Sequence, residues 1–355
     1  MSSLETKIYN IFKKYIDNSY MAGGVCSIKQ NDQQILLEAY GKRNMVTCED
    51  VRTDTIFDLA SVTKTITSTL ILKLITKNRL ALDAKLGDCL LAAARNGVLA
   101  PITIQQLLTH TSGLVAWFPF YTELPTSDLY EILSSIELNH QEEKEVVYSD
   151  LNYILLGEIL KHKHQASLQK IIEKELVQPL QLPYLTYGPL FDENIAATEF
   201  GNQIEMEMCR SRNKTFSSWR DTSKPIIGEV NDGNAHYFFQ GQSGHAGLFG
   251  TAADLSKIAE LYLKGGIVGG TEFLDPKLVK QSLQTIAEDR GLGWHSSNPF
   301  PVGFGHTGFT GTALWVVPEK NLQVVLLTNR LHVEEPVNIN PFRQELYEEI
   351  LNKLS

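Results

Sequence analysis

The pattern of apolar and polar residues predicts β-strands near both ends of the chain and helices between them. Asn31-Asp32 separates two short β-like runs near the N-terminus, so a hairpin is predicted there. Residues 318–321 separate two further apolar runs near the C-terminus, which predict a second hairpin. The predicted terminal elements are a helix over about 3–17, strands at 24–29 and 35–40, strands at 311–317 and 322–328, and an amphipathic helix over about 341–354.

Helix signals divide the middle of the chain. Thr103 and Gln106 have the spacing of a capping box, which predicts the start of a helix. The same signal recurs at 251–254. The segment at about 185–245 has little periodicity and many polar residues, so we predict a long loop, which in compact domains is often a binding or lid segment. Further helices are predicted after residue 61, at 148–161, at 167–177 and from residue 275, with a tight turn or small hairpin at 265–270.

This order of elements predicts an α/β (α+β) fold in which N- and C-terminal strands share one antiparallel sheet flanked by the terminal helices. Residues 1–60 and 250–355 are predicted to form that sheet lobe. Residues 61–249 are predicted to form a mainly helical lobe that includes the long loop. We expect the functional site between the two lobes.

Composition and charge narrow the class of protein. The chain has 355 residues, is 43% apolar and 21% charged, and has a net charge of −9. No cluster of Lys and Arg is longer than a few residues, so nucleic acid and anionic membranes are not expected partners. The N-terminus lacks a secretory pattern and no run reaches the 18 apolar residues of a spanning helix. Four widely spaced cysteines show no metal-ligand pattern and are expected to be reduced and mostly buried, so we expect a cytoplasmic protein.

Three serines are followed by a lysine three residues later, and the context of each decides its meaning. A lysine one helical turn from a serine can take the hydroxyl proton and make the serine a nucleophile. Ser167 opens a helix-like stretch and is predicted to be an N-cap, whereas Ser211 lies in a charged stretch typical of a solvated loop. Ser61 follows a strand-like segment and opens a long apolar helix with Lys64, where backbone N–H groups can stabilise an oxyanion. An ordinary N-cap is the alternative interpretation of Ser61.

Two other segments supply the remaining chemistry of a hydrolase. Tyr148-Ser149-Asp150 opens a predicted helix, and a tyrosine beside a lysine can shuttle a proton because a nearby cation favours the phenolate. His306-Thr307-Gly308 precedes the penultimate predicted strand. A glycine in an extended segment lets a substrate lie along the backbone, whose N–H groups can complete an oxyanion hole.

Ser-x-x-Lys, Tyr-Ser-Asp and His-Thr-Gly, in that order, resemble the motifs of the serine β-lactamase and penicillin-binding protein superfamily. The chain resembles the class C-like branch most, because that branch has a tyrosine in its second motif. The same branch also contains esterases and D-amino-acid peptidases. The resemblance extends over most of the chain, and runs typical of the branch lie at 107–114, 244–249, 304–312 and 325–330.

The resemblance implies a role for each motif residue. Ser61 would be the nucleophile, Lys64 its amine partner, and Tyr148 the general base and acid that also activates water for deacylation. The backbone N–H groups of Ser61 and Phe309 would form the oxyanion hole. No metal or cofactor is implied. The residues expected on the substrate side are Asp150, His306, Thr307 and Gly308, with Trp117 as a possible aromatic wall for an apolar acyl group or, equally, a packing anchor between the lobes.

Two departures from the pattern bear on the substrate. Many members carry lysine at the position of His306, and a histidine of ordinary pKa is mostly neutral at pH 7, so the grip on a substrate carboxylate should weaken. Asparagine is common where Asp150 stands, and a carboxylate there should hold Lys64 protonated and disfavour a Tyr148 phenolate. We therefore predict a serine hydrolase of an ester, a small amide or a D-amino-acid peptide with weak β-lactam turnover. The alternative is a penicillin-binding or scaffold protein that keeps the fold without significant turnover.

Two residues outside the three motifs have competing interpretations. Asp232 lies in a run that resembles a loop near the site in this branch, but acidic residues in turns are most often only turn residues. His245 lies in a Gly-His-Ala-Gly turn and is expected to be a hydrogen-bonded structural histidine rather than a proton carrier.

Overall fold

In the computed structural model, the described residues are 3–90, 97–124, 128–136 and 145–354. The strands in this part of the chain are β1 (Gly23–Gln30), β2 (Gln33–Asn44), β3 (Glu49–Asp50), β4 (Phe57–Asp58), β5 (Thr186–Tyr187), β6 (Leu248–Gly250), β7 (Ile267–Val268), β8 (Thr271–Glu272), β9 (Phe304–Thr307), β10 (Ala313–Val317) and β11 (Leu322–Thr328). The α-helices are α1 (Ser3–Asp17), α2 (Thr63–Thr76), α3 (Leu86–Cys89), α4 (Ile104–Leu108), α5 (Leu129–Ser135), α6 (Asp150–His164), α7 (Leu168–Ile172), α8 (Gln178–Leu180), α9 (Gln203–Arg210), α10 (Ala252–Leu263), α11 (Pro276–Ser282) and α12 (Asn340–Lys353).

The main sheet joins the two ends of the chain, as the sequence predicts. Its strand order is β3-β2-β1-β11-β10-β9, and the neighbouring strands are antiparallel. The N-terminal hairpin meets the C-terminal one where β1 pairs with β11, with Cys26 opposite Leu326. The mixed fold with an antiparallel sheet is therefore confirmed.

Both faces of the central strands are covered, which explains why β10 and the stretch 324–327 of β11 are continuous apolar runs rather than alternating ones. On β11, Val324 and Leu326 pack in one core with side chains of α1 and α12. Val325 and Leu327 point to the opposite face and pack in a second core with α2, α6 and α10. The sheet is thus a rigid layer between the terminal helices and the helical part of the chain.

Local signals for helix starts are confirmed at the described positions. Thr103 and Thr251 each accept a hydrogen bond from the backbone N–H three residues on, and both form complete capping boxes. Ser167 caps α7, as predicted from its context. Asp275 caps α11 with Pro276 in its first turn, and the predicted hairpin at 265–270 forms between β7 and β8.

A small second sheet, in the order β4-β6-β5, positions the segment before Ser61. Its strand β5 lies inside the predicted long loop at 185–245. That loop also contains α9 and a π-helical turn at Asn234–Phe238, so it is more structured than its sequence suggests.

The described residues contain no helix that is long and apolar enough to cross a membrane. Three of the four cysteines are buried and Cys48 is exposed, and none of them forms a disulfide in this part of the chain.

Candidate active site

Ser61 lies in a single 3₁₀ turn, Ala60–Val62, between the end of β4 and the start of α2. The preceding residue, Ala60, has a φ of 45°, a left-handed conformation that is uncommon for a residue with a side chain. The carboxylate of Asp58 accepts the Ala60 N–H at 2.8 Å and so stabilises this turn. Ser61 is therefore presented by a tight, strained turn at the start of a buried helix.

Lys64 is fully buried and lies beside the Ser61 hydroxyl. Its Nζ donates to Ser61 Oγ at 2.8 Å and to the carbonyl of His245 at 3.3 Å, and it forms an ion pair with Asp150 at 2.8 Å. The phenol of Tyr148 is a further hydrogen-bond partner of this ammonium group. Burial alone would lower the pKa of Lys64, but the charge of Asp150 and the phenol of Tyr148 outweigh burial and raise it. Lys64 is thus protonated in the resting site, as the carboxylate at position 150 predicts.

Tyr148 lies close to two cations. The Nζ of Lys64 is 5.0 Å from the centre of its ring, and the guanidinium of Arg290 is 5.5 Å from it. The segment is held in place because Ser149, the N-cap of α6, donates its N–H to Nδ1 of His110 at 3.1 Å. This contact brings the Tyr-Ser-Asp motif against the loop that follows α4.

The third motif covers the end of the edge strand β9 and the next residue, Gly308, close to the nucleophile turn. A Cβ at Gly308 would collide with the Thr312 hydroxyl and would lie 2.7 Å from the carbonyl of Leu59, so only glycine allows this approach. The Thr312 hydroxyl also donates to the Leu59 carbonyl at 2.9 Å. Among the described residues, no acceptor is found for the backbone N–H of Phe309, whose carbonyl is held by Arg330 at 2.6 Å.

His306 is buried rather than exposed in the cleft. Its side chain is 3% exposed, and its ring contacts those of Tyr148 and His295. Nδ1 lies 2.9 Å from the Thr307 carbonyl, which fixes Nδ1 as the protonated nitrogen, and Nε2 has no partner among the described residues. Burial, with further contributions from His295 and Lys64, lowers the pKa of His306 well below its ordinary value, so the side chain is neutral.

A cavity of about 670 Å³ opens over Ser61. It brings together predicted residues from distant parts of the chain, whereas His306 is not in its lining. Several lining residues were not expected from the sequence: two buried glutamates, two arginines and two apolar residues of α9. The predicted residues in the lining are Ser61, Trp117, Tyr148, Asp150, Thr307, Gly308 and Phe309, and the additional ones include Glu199, Ile204, Glu205, Met208, Arg330 and Arg343.

The additional polar residues are held by the protein itself. Glu205 accepts the Gly233 N–H at 2.7 Å and the Tyr121 hydroxyl at 3.0 Å, and burial raises its pKa well above the ordinary value. Arg343 donates to the carbonyls of Gly308 and Thr312. No sequence motif indicates that Glu205 and Arg343 line the site. Arg330 does have a signal in the sequence, since it ends one of the runs typical of the branch.

Asp232, which lines the cavity, forms a pair with the buried His245. His245 Nε2 lies 3.0 Å from Asp232 Oδ1, and its Nδ1 lies 2.7 Å from the Ser243 hydroxyl, which fits a structural histidine. Burial would raise the pKa of Asp232, but His245 and the N–H of Ala235 lower it below its ordinary value.

Ligand atoms of Asp150, Asp232 and His245 lie within 4.8 Å of one another, a spacing that a metal ion could bridge. However, Asp150 is paired with Lys64, and Asp232 with His245. These atoms therefore already have partners within the protein.

The chain is similar to known proteins over most of its length. The chain is 29% identical over 333 residues to an N-acetylmuramyl-L-alanine amidase of Bacillus subtilis (strain 168), covering 84% of this chain and 74% of the relative. It is 28% identical over 312 residues to a protein of Escherichia coli (strain K12) named "Putative D-alanyl-D-alanine carboxypeptidase", covering 79% and 70% of the two chains.

Solved structures share the fold at lower identity. A class C beta-lactamase matches with a TM-score of 0.76 at 18% identity, covering all of this chain and 97% of the other. The hydrolase EstCE1, which has promiscuous acyltransferase activity, matches with a TM-score of 0.75 at 21% identity, covering 97% and 98%. At these identities the structures show the fold alone. The beta-lactamase family model, however, matches residues 9–348, nearly the whole chain. The chain therefore belongs to the beta-lactamase family.

Proposed function

We propose that this protein is a serine hydrolase that acts through a covalent acyl-enzyme on an ester, a small amide or a D-amino-acid peptide. The observation that carries the proposal is the 2.8 Å contact between Lys64 Nζ and Ser61 Oγ, because Ser61 lines an open cavity together with Tyr148. The named amidase and carboxypeptidase relatives support hydrolysis of an acyl bond. The two departures at Asp150 and His306 favour an uncharged substrate over a β-lactam.

The proposed reaction begins with attack of Ser61 Oγ on the substrate carbonyl. Lys64 already carries its proton, so Tyr148 is the proposed general base: it gives its own proton to solvent and then accepts that of Ser61. Asp150 disfavours this phenolate, and the nearby positive charges of Lys64 and Arg290 act against that effect. The tetrahedral oxyanion is bound by the N–H groups of Ser61 and Phe309. Tyr148 then protonates the leaving group as its bond to carbon breaks.

Deacylation reverses the same proton path. A water molecule attacks the acyl carbon and gives its proton to Tyr148. Tyr148 returns that proton to Ser61 Oγ as the ester bond breaks, so the free enzyme is restored. No other group of the chain is needed to balance the two steps.

A panel of p-nitrophenyl esters together with a fluorescent penicillin tests the proposal. We expect turnover of the esters and slow acylation by the penicillin. Acylation without turnover of any probe would favour the penicillin-binding alternative. If the protein shows no acylation by the penicillin and no turnover of any ester, the proposed enzymatic function is wrong.

Trp117, Ile204 and Met208 form an apolar wall of the cavity, and Arg212 lies 5.2 Å from the Trp117 ring centre. We expect Trp117→Ala to lower kcat/KM for p-nitrophenyl hexanoate by about 10-fold or more relative to the acetate, because about 1.5–3 kcal/mol of apolar burial is lost. Trp219→Ala is the control, since Trp219 packs on Tyr121 outside the cavity lining. An unchanged preference for chain length in Trp117→Ala would show that this wall does not bind the acyl group.

The neutral, buried His306 is proposed to limit the use of carboxylate-bearing substrates. His306→Lys would place a permanent cation beside Thr307, and we expect it to raise acylation by a penicillin by roughly 10- to 100-fold, since a charged hydrogen bond contributes about 1.5–3 kcal/mol. His306→Gln keeps the side chain neutral and should give no such increase. Penicillin acylation that is unchanged or slower in His306→Lys would exclude His306 as the determinant of this preference.

A further inference from the structure

Asp58 is a buried carboxylate that the proposed mechanism does not use, and it connects the two sides of the site. Its side chain is 1% exposed. One oxygen accepts the N–H of Ala60, the residue before the nucleophile, at 2.8 Å. The other accepts the N–H of Asn231, the residue before Asp232, at 2.7 Å.

The backbone of Asp58 extends this connection to the substrate strand. Its carbonyl accepts the Thr310 hydroxyl at 2.8 Å, just beyond Phe309. The nucleophile turn, the Asp232 loop and the turn after β9 therefore meet at a single residue. Because Ala60 has a positive φ, the turn depends on a bond of this kind to stay in place.

We propose that Asp58 is a positioning residue whose ionised carboxylate holds the nucleophile turn against the Asp232 loop, so that the site is fully assembled only while Asp58 is ionised. A carboxylate can accept both N–H groups at once. A protonated carboxyl keeps one good acceptor and turns the other oxygen into a donor, so one of the two bonds is lost. The inference rests on the proposed serine hydrolase function.

The surroundings of Asp58 place this protonation in an accessible pH range. Burial raises the pKa of Asp58 to about 6, and Asp232 acts in the same direction. The two backbone N–H groups and the charge of Arg220 act against burial without cancelling it. Two further neighbours of Asp58 are uncharged. Phe249 of β6 is its partner in the sheet, and Thr310, in the turn after β9, donates its hydroxyl to the Asp58 carbonyl.

Activity and stability should respond to pH in opposite directions. As the pH falls through about 6, the carboxyl gains its proton and catalysis is lost. The folded state then binds this proton more tightly than the unfolded state, in which the pKa has its lower ordinary value, so the contribution of this group to stability increases. If activity were instead lost because acid unfolds the protein, the Tm would fall as the pH falls.

The test compares Asp58→Asn with wild type by the pH profile of kcat/KM for p-nitrophenyl acetate from pH 5 to 8. Asparagine has one acceptor and one donor, so it imitates the protonated carboxyl. We expect a loss of about 100-fold at pH 7.5, the effect of a small misplacement of reacting groups, and no further acid limb near pH 6. The Tm of wild type relative to the variant should rise as the pH falls from 7 to 5.

Asp254→Asn is the matched control, because Asp254 is equally buried and accepts two bonds from Thr251 at the start of α10 rather than a bond from the nucleophile turn. It should keep the wild-type acid limb. Asp58→Asn with wild-type activity, or with an unchanged acid limb, would overturn the inference. An absence of Ser61-dependent turnover in wild type would instead overturn the proposed function.

If Asp58→Asn does not fold, wild type alone decides the question through its rate of acylation by a fluorescent penicillin. An acid limb near pH 6 with an unchanged near-ultraviolet circular dichroism spectrum supports the inference. A rate that is constant across this range overturns it.

Discussion

Ser61→Ala should abolish acylation and reduce ester turnover by roughly 10⁴- to 10⁶-fold, the range found when an attacking serine is removed from a hydrolase. The oxygen that Lys64 contacts at 2.8 Å is removed, and no covalent intermediate can form. Intact-mass spectrometry after incubation with a penicillin measures the adduct directly, and p-nitrophenyl acetate measures turnover. The fold should persist, since the change removes one atom from a half-buried side chain.

The chain supplies its own controls for this substitution. Ser167 and Ser211 stand in the same Ser-x-x-Lys spacing but lie on the surface, at the start of α7 and after α9. Ser167→Ala should cost about 1 kcal/mol of unfolding free energy through the lost cap and leave the rate unchanged. Turnover in Ser61→Ala equal to that of wild type would exclude Ser61 as the nucleophile.

Tyr148→Phe should lower kcat by about 10²- to 10⁴-fold, the usual contribution of a group that transfers protons in the transition state. Both proposed steps pass a proton through this hydroxyl, but deacylation must also activate water. We therefore expect the acyl-enzyme to persist longer in the variant than in wild type. Rapid-quench mass spectrometry with a p-nitrophenyl ester follows its formation and decay.

Tyr153→Phe is the matched control, on helix α6 that follows Tyr148. The Tyr153 ring centre is 5.9 Å from Lys64 Nζ, but its hydroxyl is bonded to Ser68 and to the carbonyl of Leu108 inside the core. Its loss should cost about 1–2 kcal/mol of unfolding free energy and leave the rate of deacylation unchanged. Equal deacylation rates for Tyr148→Phe and wild type would remove Tyr148 from the mechanism.

The elements that the sequence predicts correctly depend on neighbours along the chain. The capping boxes at Thr103 and Thr251 and the N-cap at Ser167 form because donor and acceptor lie three residues apart. The C-terminal hairpin follows from two apolar runs separated by polar turn residues. In contrast, the short elements within 185–245 depend on contacts with distant segments, such as the pairing of β5 with β6. A local pattern cannot reveal such pairing.

The same division applies to the site. The contact of Asp150 with Lys64 could be anticipated, since both positions belong to recognisable motifs whose chemistry requires proximity. The burial of His306 could not, because it results from rings contributed by Tyr148 and His295. Asp58 is also unremarkable in the sequence. Its importance arises only because Asn231, 173 residues away, donates to its second oxygen.

The amino-acid sequence by itself determined the family, the antiparallel sheet and the candidate nucleophile Ser61 with Lys64, because motif spacing and apolar periodicity are local properties of the chain. Only the tertiary structure decided which charges face one another. It placed Lys64 among three acceptors, made His306 a buried neutral side chain, and joined the nucleophile turn to the Asp232 loop through Asp58. The physical reason is that protonation and hydrogen bonding depend on burial and on partners far away in the chain, which residue order does not specify.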